Sequence, residues 1–162
     1  MPTAYYPSDE FPSPSAVSLE YPDEWQTLPD AAQCLAVVKG VPDGDFLPNV
    51  IVSVRRMRRG NAMQAAVAEL RQRASVLQDY ESIGEEEGSL DGYPSYRMEG
   101  SFIDESVGTL AQAIRLTVVD LGQVEDLVQI TGTCSGKQVQ DTWQQIRDIQ
   151  ASLRISPGSA LA

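Results

Sequence analysis

The chain has 162 residues, of which 42% are apolar and 22% charged, a composition typical of one globular domain. Its formal net charge is −11, so its surface disfavours nucleic acid and anionic membranes as partners. It contains no histidine, which excludes Ser–His–Asp and Cys–His catalysis. No stretch approaches the ~20 apolar residues that a membrane-spanning helix needs.

The first segment is rich in proline, which predicts a flexible N-terminal arm over residues 1–15. Residues 16–155 are then expected to form a single α+β domain, and residues 156–162 a flexible tail. The first ten residues contain neither the basic nor the apolar region of a signal peptide. We therefore expect a cytoplasmic protein.

Three strands are predicted next. Residues 17–21 alternate apolar and polar side chains, residues 34–38 are an apolar run, and residues 49–55 are rich in β-branched residues. Trp25 falls in the predicted loop between the first two strands. It is expected either to pack in the core or to line a groove for a partner.

A helix of about 17 residues is predicted after these strands. Asn61 is a suitable N-cap, and apolar residues then recur at three- and four-residue spacing as far as Leu77. The opposite face of this helix is polar. The helix is therefore expected to pack one side against the sheet.

The second half of the chain predicts four strands joined by short turns, which is typical of an antiparallel meander. The strongest turn signal is Asp91-Gly92. Acidic residues at 85–87, 104–105 and 125–126 are expected in loops. The predicted strands are residues 80–83, 93–103, 110–119 and 127–134, and a closing helix follows from about residue 136.

This order of elements predicts an α+β fold, an antiparallel β-sheet of about six to seven strands with two helices packed on it. The two cysteines, Cys34 and Cys134, both lie in apolar runs and are expected to be buried small hydrophobic residues. A bridge between neighbouring strands is the alternative, and it would need an oxidising compartment.

The most unusual feature is an arginine run at the predicted turn before the first helix. Four of the twelve basic residues lie within five positions of an otherwise acidic chain. The run is either a docking patch for an acidic segment or phosphate group, or a solvated strand end paired with the chain's own acids. Its members are Arg55, Arg56, Arg58 and Arg59.

No cofactor or metal site is expected. Two distant cysteines do not make a zinc site, and residues 132–137 lack the spacing of a phosphate-binding loop. An enzyme of this sequence would have to use paired carboxylates or a tyrosine. The residues themselves favour binding over catalysis.

Four short motifs resemble those of PsbP-like domains, which include LpqN-type actinobacterial lipoproteins and EagR-type secretion chaperones. Residues 17–25 (VSLEYPDEW) resemble the φxφxYPxxW start, and residues 48–54 (PNVIVSV) resemble the PNVxVxV strand. Residues 90–96 and 127–133 resemble the φxGxPA turn and the φVφTxT strand. The chain has no lipobox cysteine, so the resemblance does not imply lipoprotein anchoring.

The resemblance implies a non-enzymatic protein-binding module. The expected role is a cytoplasmic adaptor or secretion-associated chaperone that holds a partner's apolar or helical segment on the sheet or beside the first helix. The predicted partner-binding residues are the arginine run and Trp25, and the chain could also form a homodimer through an edge strand. The alternative is a cofactor-free protein that binds a small hydrophobic ligand.

Overall fold

The computed structural model of the protein describes residues 1–30 and 34–160. Within these residues there are nine strands, two α-helices and one short 3-10 helix (Gly136–Gln138). The strands are β1 (Ala16–Ser18), β2 (Trp25–Thr27), β3 (Leu35–Lys39), β4 (Asn49–Arg58), β5 (Glu81–Leu90), β6 (Tyr93–Asp104), β7 (Gly108–Asp120), β8 (Val124–Ser135) and β9 (Arg154–Ser156). The helices are α1 (Ala62–Ser75) and α2 (Val139–Ala151).

Seven of the described strands form one antiparallel sheet in the order β2-β3-β4-β8-β7-β6-β5. Strands β5 to β8 pair with their neighbours in sequence, which confirms the predicted meander. The remaining strands, β1 and β9, pair with each other in a separate two-stranded sheet. The predicted α+β class, the size of the sheet and the two packed helices are therefore confirmed.

The two helices pack on opposite faces of the main sheet. Successive side chains of a strand point to opposite faces, so each central strand supplies two cores. Val50 and Val52 of β4 belong to the core beneath α2, here called the α2-side core. Met57 packs against the core beneath α1, here called the α1-side core. Both faces of the sheet are consequently covered in part by a helix.

Two glycines occupy positions that need glycine, one in a turn and one beneath a helix. Asp91 and Gly92 have φ values of +53° and +80° and connect β5 directly to β6, as the Asp-Gly signal predicts. Gly132 of β8 lies directly beneath Ile146 of α2, where the Ile146 side chain occupies the space of any added Cβ. Only glycine therefore allows α2 to lie this close to the sheet.

Several boundaries differ from the sequence-based predictions. The first strand is β1, shorter than residues 17–21 and outside the main sheet. The acidic residues 85–87 lie within β5 rather than in a loop, and Glu125 and Asp126 lie within β8. Pairing along the whole length of a neighbouring strand outweighs the weak strand preference of Glu and Asp.

Helix α1 has 14 residues rather than the predicted number of about 17, and it ends at Ser75. Asn61 is its N-cap residue, but it makes no side-chain capping hydrogen bond there. No helix among residues 1–30 and 34–160 is long and apolar enough to cross a membrane.

The predicted terminal arm and tail contact each other where the structure describes them. The backbone N–H of Ser13 donates to the carbonyl oxygen of Ser159 at 2.8 Å, and the N–H of Gly158 donates to the Ser15 hydroxyl at 3.1 Å. The last two residues of the predicted tail, 161 and 162, lie outside the described residues. The division into arm, domain and tail stays a prediction.

Candidate functional site

The arginine run lies mostly within a strand rather than at a turn. Its first three arginines are in the last residues of β4, and Arg59 follows in the turn before α1. Strand alternation sends Arg55 and Arg56 to opposite faces of the sheet. Arg55 pairs with Glu69 of α1 at 3.0 Å, and Arg56 pairs with Asp126 of β8 at 3.2 Å. The run therefore does not form one continuous patch.

Arg56 contacts the N-terminal segment. Its guanidinium donates to the carbonyl oxygens of Pro12 and Ser13 at 2.6 and 3.2 Å, while Asp126 accepts the backbone N–H of Ser15 at 2.8 Å. Asp126 is only 1% exposed. Because a buried carboxylate needs these donors, the contacts of Arg56 are structural.

The other two arginines of the run remain on the surface. Arg59 pairs with the exposed Asp120 at 3.2 Å. The Arg58 side chain has no hydrogen bond or ion pair to any residue in the part of the chain that the structure describes. Arg58 is thus the member of the run whose charge is most available to a partner.

Trp25 lies far from the arginine run. It begins strand β2, not a loop, and pairs with Lys39 beside the start of β4. The start of β4 is roughly 20 Å from the arginines at about 3.3 Å per residue. The Trp25 side chain is 3% exposed, and its Nε1 donates to Gln145 Oε1 at 3.2 Å. Partner binding by Trp25 and by the arginine run stays a prediction.

An open groove lies between α1 and the β5–β6 hairpin, on the α1 face of the sheet. We call it the α1 groove, and its cavity volume is about 490 Å³. Helix α1 contributes one wall and the hairpin contributes the other. Its lining residues are Met63, Gln64, Val67, Ala68, Arg71, Glu87, Gly88, Pro94, Ser95 and Tyr96.

The floor of the α1 groove is apolar because the apolar stripe of α1 continues beyond the buried core. Met63 and Val67 are one helical turn apart and only partly buried, and they pack against the α1-side core, to which Tyr96 belongs. Pro94 extends the apolar surface along β6. The groove therefore offers apolar side chains to a ligand, with charged groups only at its rim.

The rim is ordered by a small polar network. Arg71 donates to Glu85 and to the Tyr96 hydroxyl, both at 3.1 Å, and the Tyr96 hydroxyl donates to Glu85. Burial and the nearby Glu85 carboxylate raise the pKa of Tyr96, and the hydrogen bond from Tyr96 lowers the pKa of Glu85. Tyr96 is therefore a protonated donor at neutral pH, not a base.

The outer side of β5 pairs with no strand of the described residues, so β5 is an edge of the main sheet. An unpaired strand edge presents backbone N–H and C=O groups that can add another strand. β5 carries exposed glutamates beside this edge, which include Glu86 and Glu87. These charges favour a basic partner segment over pairing with a second acidic copy.

No metal centre is evident in the described residues. Among them, no three Cys, Asp or Glu side chains come together in a group that could hold a metal ion. The acidic pairs of the sequence are also dispersed, because Glu125 and Asp126 lie on opposite faces of β8.

The two cysteines differ in exposure. Cys134 is fully buried, and burial raises its pKa to about 11, whereas Cys34 is exposed, contrary to the sequence-based prediction. Both thiols are free. We expect a thiol reagent such as Ellman's reagent to label about one thiol in the native protein and two in guanidinium chloride. Rapid labelling of two thiols in the native state would contradict the burial of Cys134.

A family model described as "Probable lipoprotein LpqN" matches residues 7–156 of the chain. No curated protein matches the sequence. The matched segment includes both helices, the whole main sheet and the α1 groove. The comparison therefore covers the entire fold.

The solved structures that share the fold include the following three. LpqN of Mycobacterium tuberculosis, which is involved in cell envelope biogenesis, is 17% identical, with a TM-score of 0.74 over 90% of this chain and 86% of that chain. The cyanobacterial PsbP protein of Synechocystis is 10% identical, with a TM-score of 0.55 over 96% and 99%. The Ran-binding protein Mog1p of Saccharomyces cerevisiae is 10% identical, with a TM-score of 0.54 over 88% and 91%. At these identities the likeness shows a common fold.

Proposed function

Because the chain belongs to the family described as probable lipoprotein LpqN, we propose that it is a non-enzymatic protein-binding module whose α1 groove holds a partner segment. The observation that carries this proposal is the partly exposed apolar floor formed by Met63, Val67 and Pro94 beside the unpaired edge of β5. The Ran-binding neighbour Mog1p supports binding as a use of this fold.

The proposed occupant is a short partner segment with apolar side chains and flanking basic residues. Its apolar side chains would cover the groove floor, since burial of apolar surface is the main driving force of association. Its basic residues would meet Glu87, which lines the groove. The net charge of −11 would steer such a segment toward the protein.

The location of the protein in the cell and its adaptor or chaperone role remain proposals. The resemblance to PsbP-like domains implies an adaptor or secretion-associated chaperone, expected in the cytoplasm, whereas the family description names a lipoprotein. Fractionation of host cells separates these locations, because an anchored protein sediments with membranes and a cytoplasmic one does not. A homodimer through β5 would bring the glutamates of two copies together, so we expect a partner protein rather than a second copy there.

The alternative function is binding of a small hydrophobic ligand. The groove volume of about 490 Å³ lies within the range of small-molecule sites, and its floor is apolar. The groove is open along one side, however, and its rim is charged. An extended peptide segment fits these features better than a ligand that must be enclosed.

The α1 groove can be filled without disturbing the core. Ala68 lines the groove and is exposed on α1, so Ala68→Trp should occupy the space and leave the protein folded. Ala65 is exposed on the same helix and does not line the groove, so Ala65→Trp is the matched control. Equal unfolding midpoints for the two variants would show that the substitutions are comparable.

We expect tagged wild-type protein and Ala65→Trp to retain one stoichiometric partner from the native host, and Ala68→Trp to lose it. The readout is co-purification at physiological salt followed by mass spectrometry. A further variant, Arg58→Ala, tests the arginine run separately in the same experiment. Retention of the partner by Ala68→Trp would contradict the groove. A thermal shift with lipophilic compounds that only Ala68→Trp abolishes would favour the small-ligand alternative.

A further inference from the structure

Three arginines from three different elements converge on the α2 face of the sheet, opposite the α1 groove. Arg97 of β6 and Arg115 of β7 are direct register partners, so their side chains leave the sheet side by side. Arg147 of α2 lies above them, since both it and Arg97 contact Glu99. We call Arg97, Arg115 and Arg147 the arginine cluster.

Glu99 is the central anion of this arrangement. Its side chain is 0% exposed and accepts two parallel hydrogen bonds from Arg147, at 3.0 and 3.1 Å, and it also pairs with Arg97. The exposed Glu86 pairs with Arg97 from β5 at 3.3 Å. Arg147 additionally lies 5.6 Å from the ring centre of Trp143. Arg97 and Arg147 are therefore held firmly in place.

Arg115 has no such acceptor. It makes no ion pair with any described residue, and its Nε atom is buried without a hydrogen-bond partner. Burial lowers the pKa of Arg115, and so do the charges of Arg97 and Arg147, although the guanidinium stays protonated at neutral pH. Three positive charges thus face two negative ones, in a protein whose net charge is −11.

A second buried donor, the hydroxyl of Thr117, lies near Arg115. Within residues 1–30 and 34–160, the buried side-chain polar atoms without a hydrogen-bond partner are Arg115 Nε and the hydroxyl oxygen of Thr117. The two residues are two positions apart on β7, so they lie on the same face about 7 Å from each other. Thr117 is 0% exposed. Unsatisfied buried donors are rare because each costs free energy, so two neighbours point to a missing acceptor.

We propose that the arginine cluster is an anion-binding site for a phosphate-sized oxyanion, either inorganic phosphate or the phosphate group of an ester. Guanidinium groups match phosphate oxygens in charge and geometry, and here they approach from two strands and a helix. Arg115 would supply the unused Nε–H, while Arg97 and Arg147 would neutralise the remaining charge. Arg97 and Arg147 keep part of their surface exposed, so the outer side of the cluster is reachable from solvent, and the Arg115 Nε–H lies buried behind it.

The test uses the full chain with inorganic phosphate and glycerol 3-phosphate at matched ionic strength. The test variant is Arg115→Gln, which removes the charge and should not hinder folding, because that charge has no partner. The control is Arg59→Gln, which removes an exposed arginine that pairs with Asp120 elsewhere on the surface. The readouts are the dissociation constant by NMR titration and the chemical shift of the Arg115 Nε–H.

We expect saturable binding in the wild type and in Arg59→Gln, with a large shift of the Arg115 Nε–H signal. Arg115→Gln should weaken binding about tenfold or more, as expected for the loss of one charge-assisted hydrogen bond. Tighter binding of the ester than of phosphate would assign the site to a phosphate ester, and equal binding would assign it to the free ion. No binding, or equal weakening by both substitutions, would overturn the proposal.

Discussion

Replacing Glu99 with alanine should lower the free energy of unfolding by about 3–5 kcal/mol, because it removes one partner of a buried ion pair. Glu99 is fully buried and is the carboxylate that both Arg97 and Arg147 contact. Without it, the three charges of the arginine cluster would face one another with the exposed Glu86 as their remaining partner. Urea unfolding followed by circular dichroism measures this loss.

Glu86→Ala is the matched control for this substitution. Glu86 pairs with the same Arg97, but its side chain is 66% exposed. Exposed ion pairs contribute at most about 1 kcal/mol, so this control should be close to neutral. If Glu99→Ala and Glu86→Ala lower the free energy of unfolding equally, the buried carboxylate would not be what holds the arginine cluster together.

Added phosphate should stabilise Glu99→Gln more than wild type, because the proposed oxyanion would replace the lost charge.

Trp25→Ala should lower the free energy of unfolding by about 3–5 kcal/mol, the usual cost of removing a buried tryptophan. Trp25 is 3% exposed and belongs to the α2-side core, and its Nε1 donates a hydrogen bond to Gln145 Oε1 of α2. The alanine would leave a cavity between β2 and α2. Urea unfolding again provides the measurement, with Trp143 fluorescence as a probe that remains.

Trp25→Phe is the control, since it keeps most of the apolar volume and loses only the indole N–H. It should cost clearly less than Trp25→Ala. The opposite outcome for Trp25→Ala, a normal stability with a loss of partner binding, would support the sequence-based prediction that Trp25 lines a partner-binding groove.

Local patterns were sufficient for much of the fold. An apolar run and a β-branched run predicted β3 and β4, and the Asp91-Gly92 turn connects β5 to β6 as expected because this dipeptide adopts positive φ at little cost. The three- and four-residue spacing predicted both helices. These signals are local, since they depend on which side of one strand or helix is apolar.

Edge elements were the least predictable. Residues 80–83 are predicted as a short strand and the acidic residues 85–87 as part of a loop, but all of Glu81–Leu90 forms β5 because β6 pairs along nearly its whole length. β9 has only three residues and depends on β1 as its partner, more than 130 residues away in the chain. Pairing between distant segments therefore decided these strands, and no local pattern records it.

The sequence by itself determined the α+β class and the order of the central elements, because these follow from periodicity and turn chemistry within short windows. The family resemblance came from four short motifs. Only the tertiary structure decided that the helices lie on opposite faces and that the arginine run is divided between them. It also decided that Arg97, Arg115 and Arg147 meet around Glu99. Such sites depend on strand register and helix placement, and a one-residue shift in register would send each side chain to the other face.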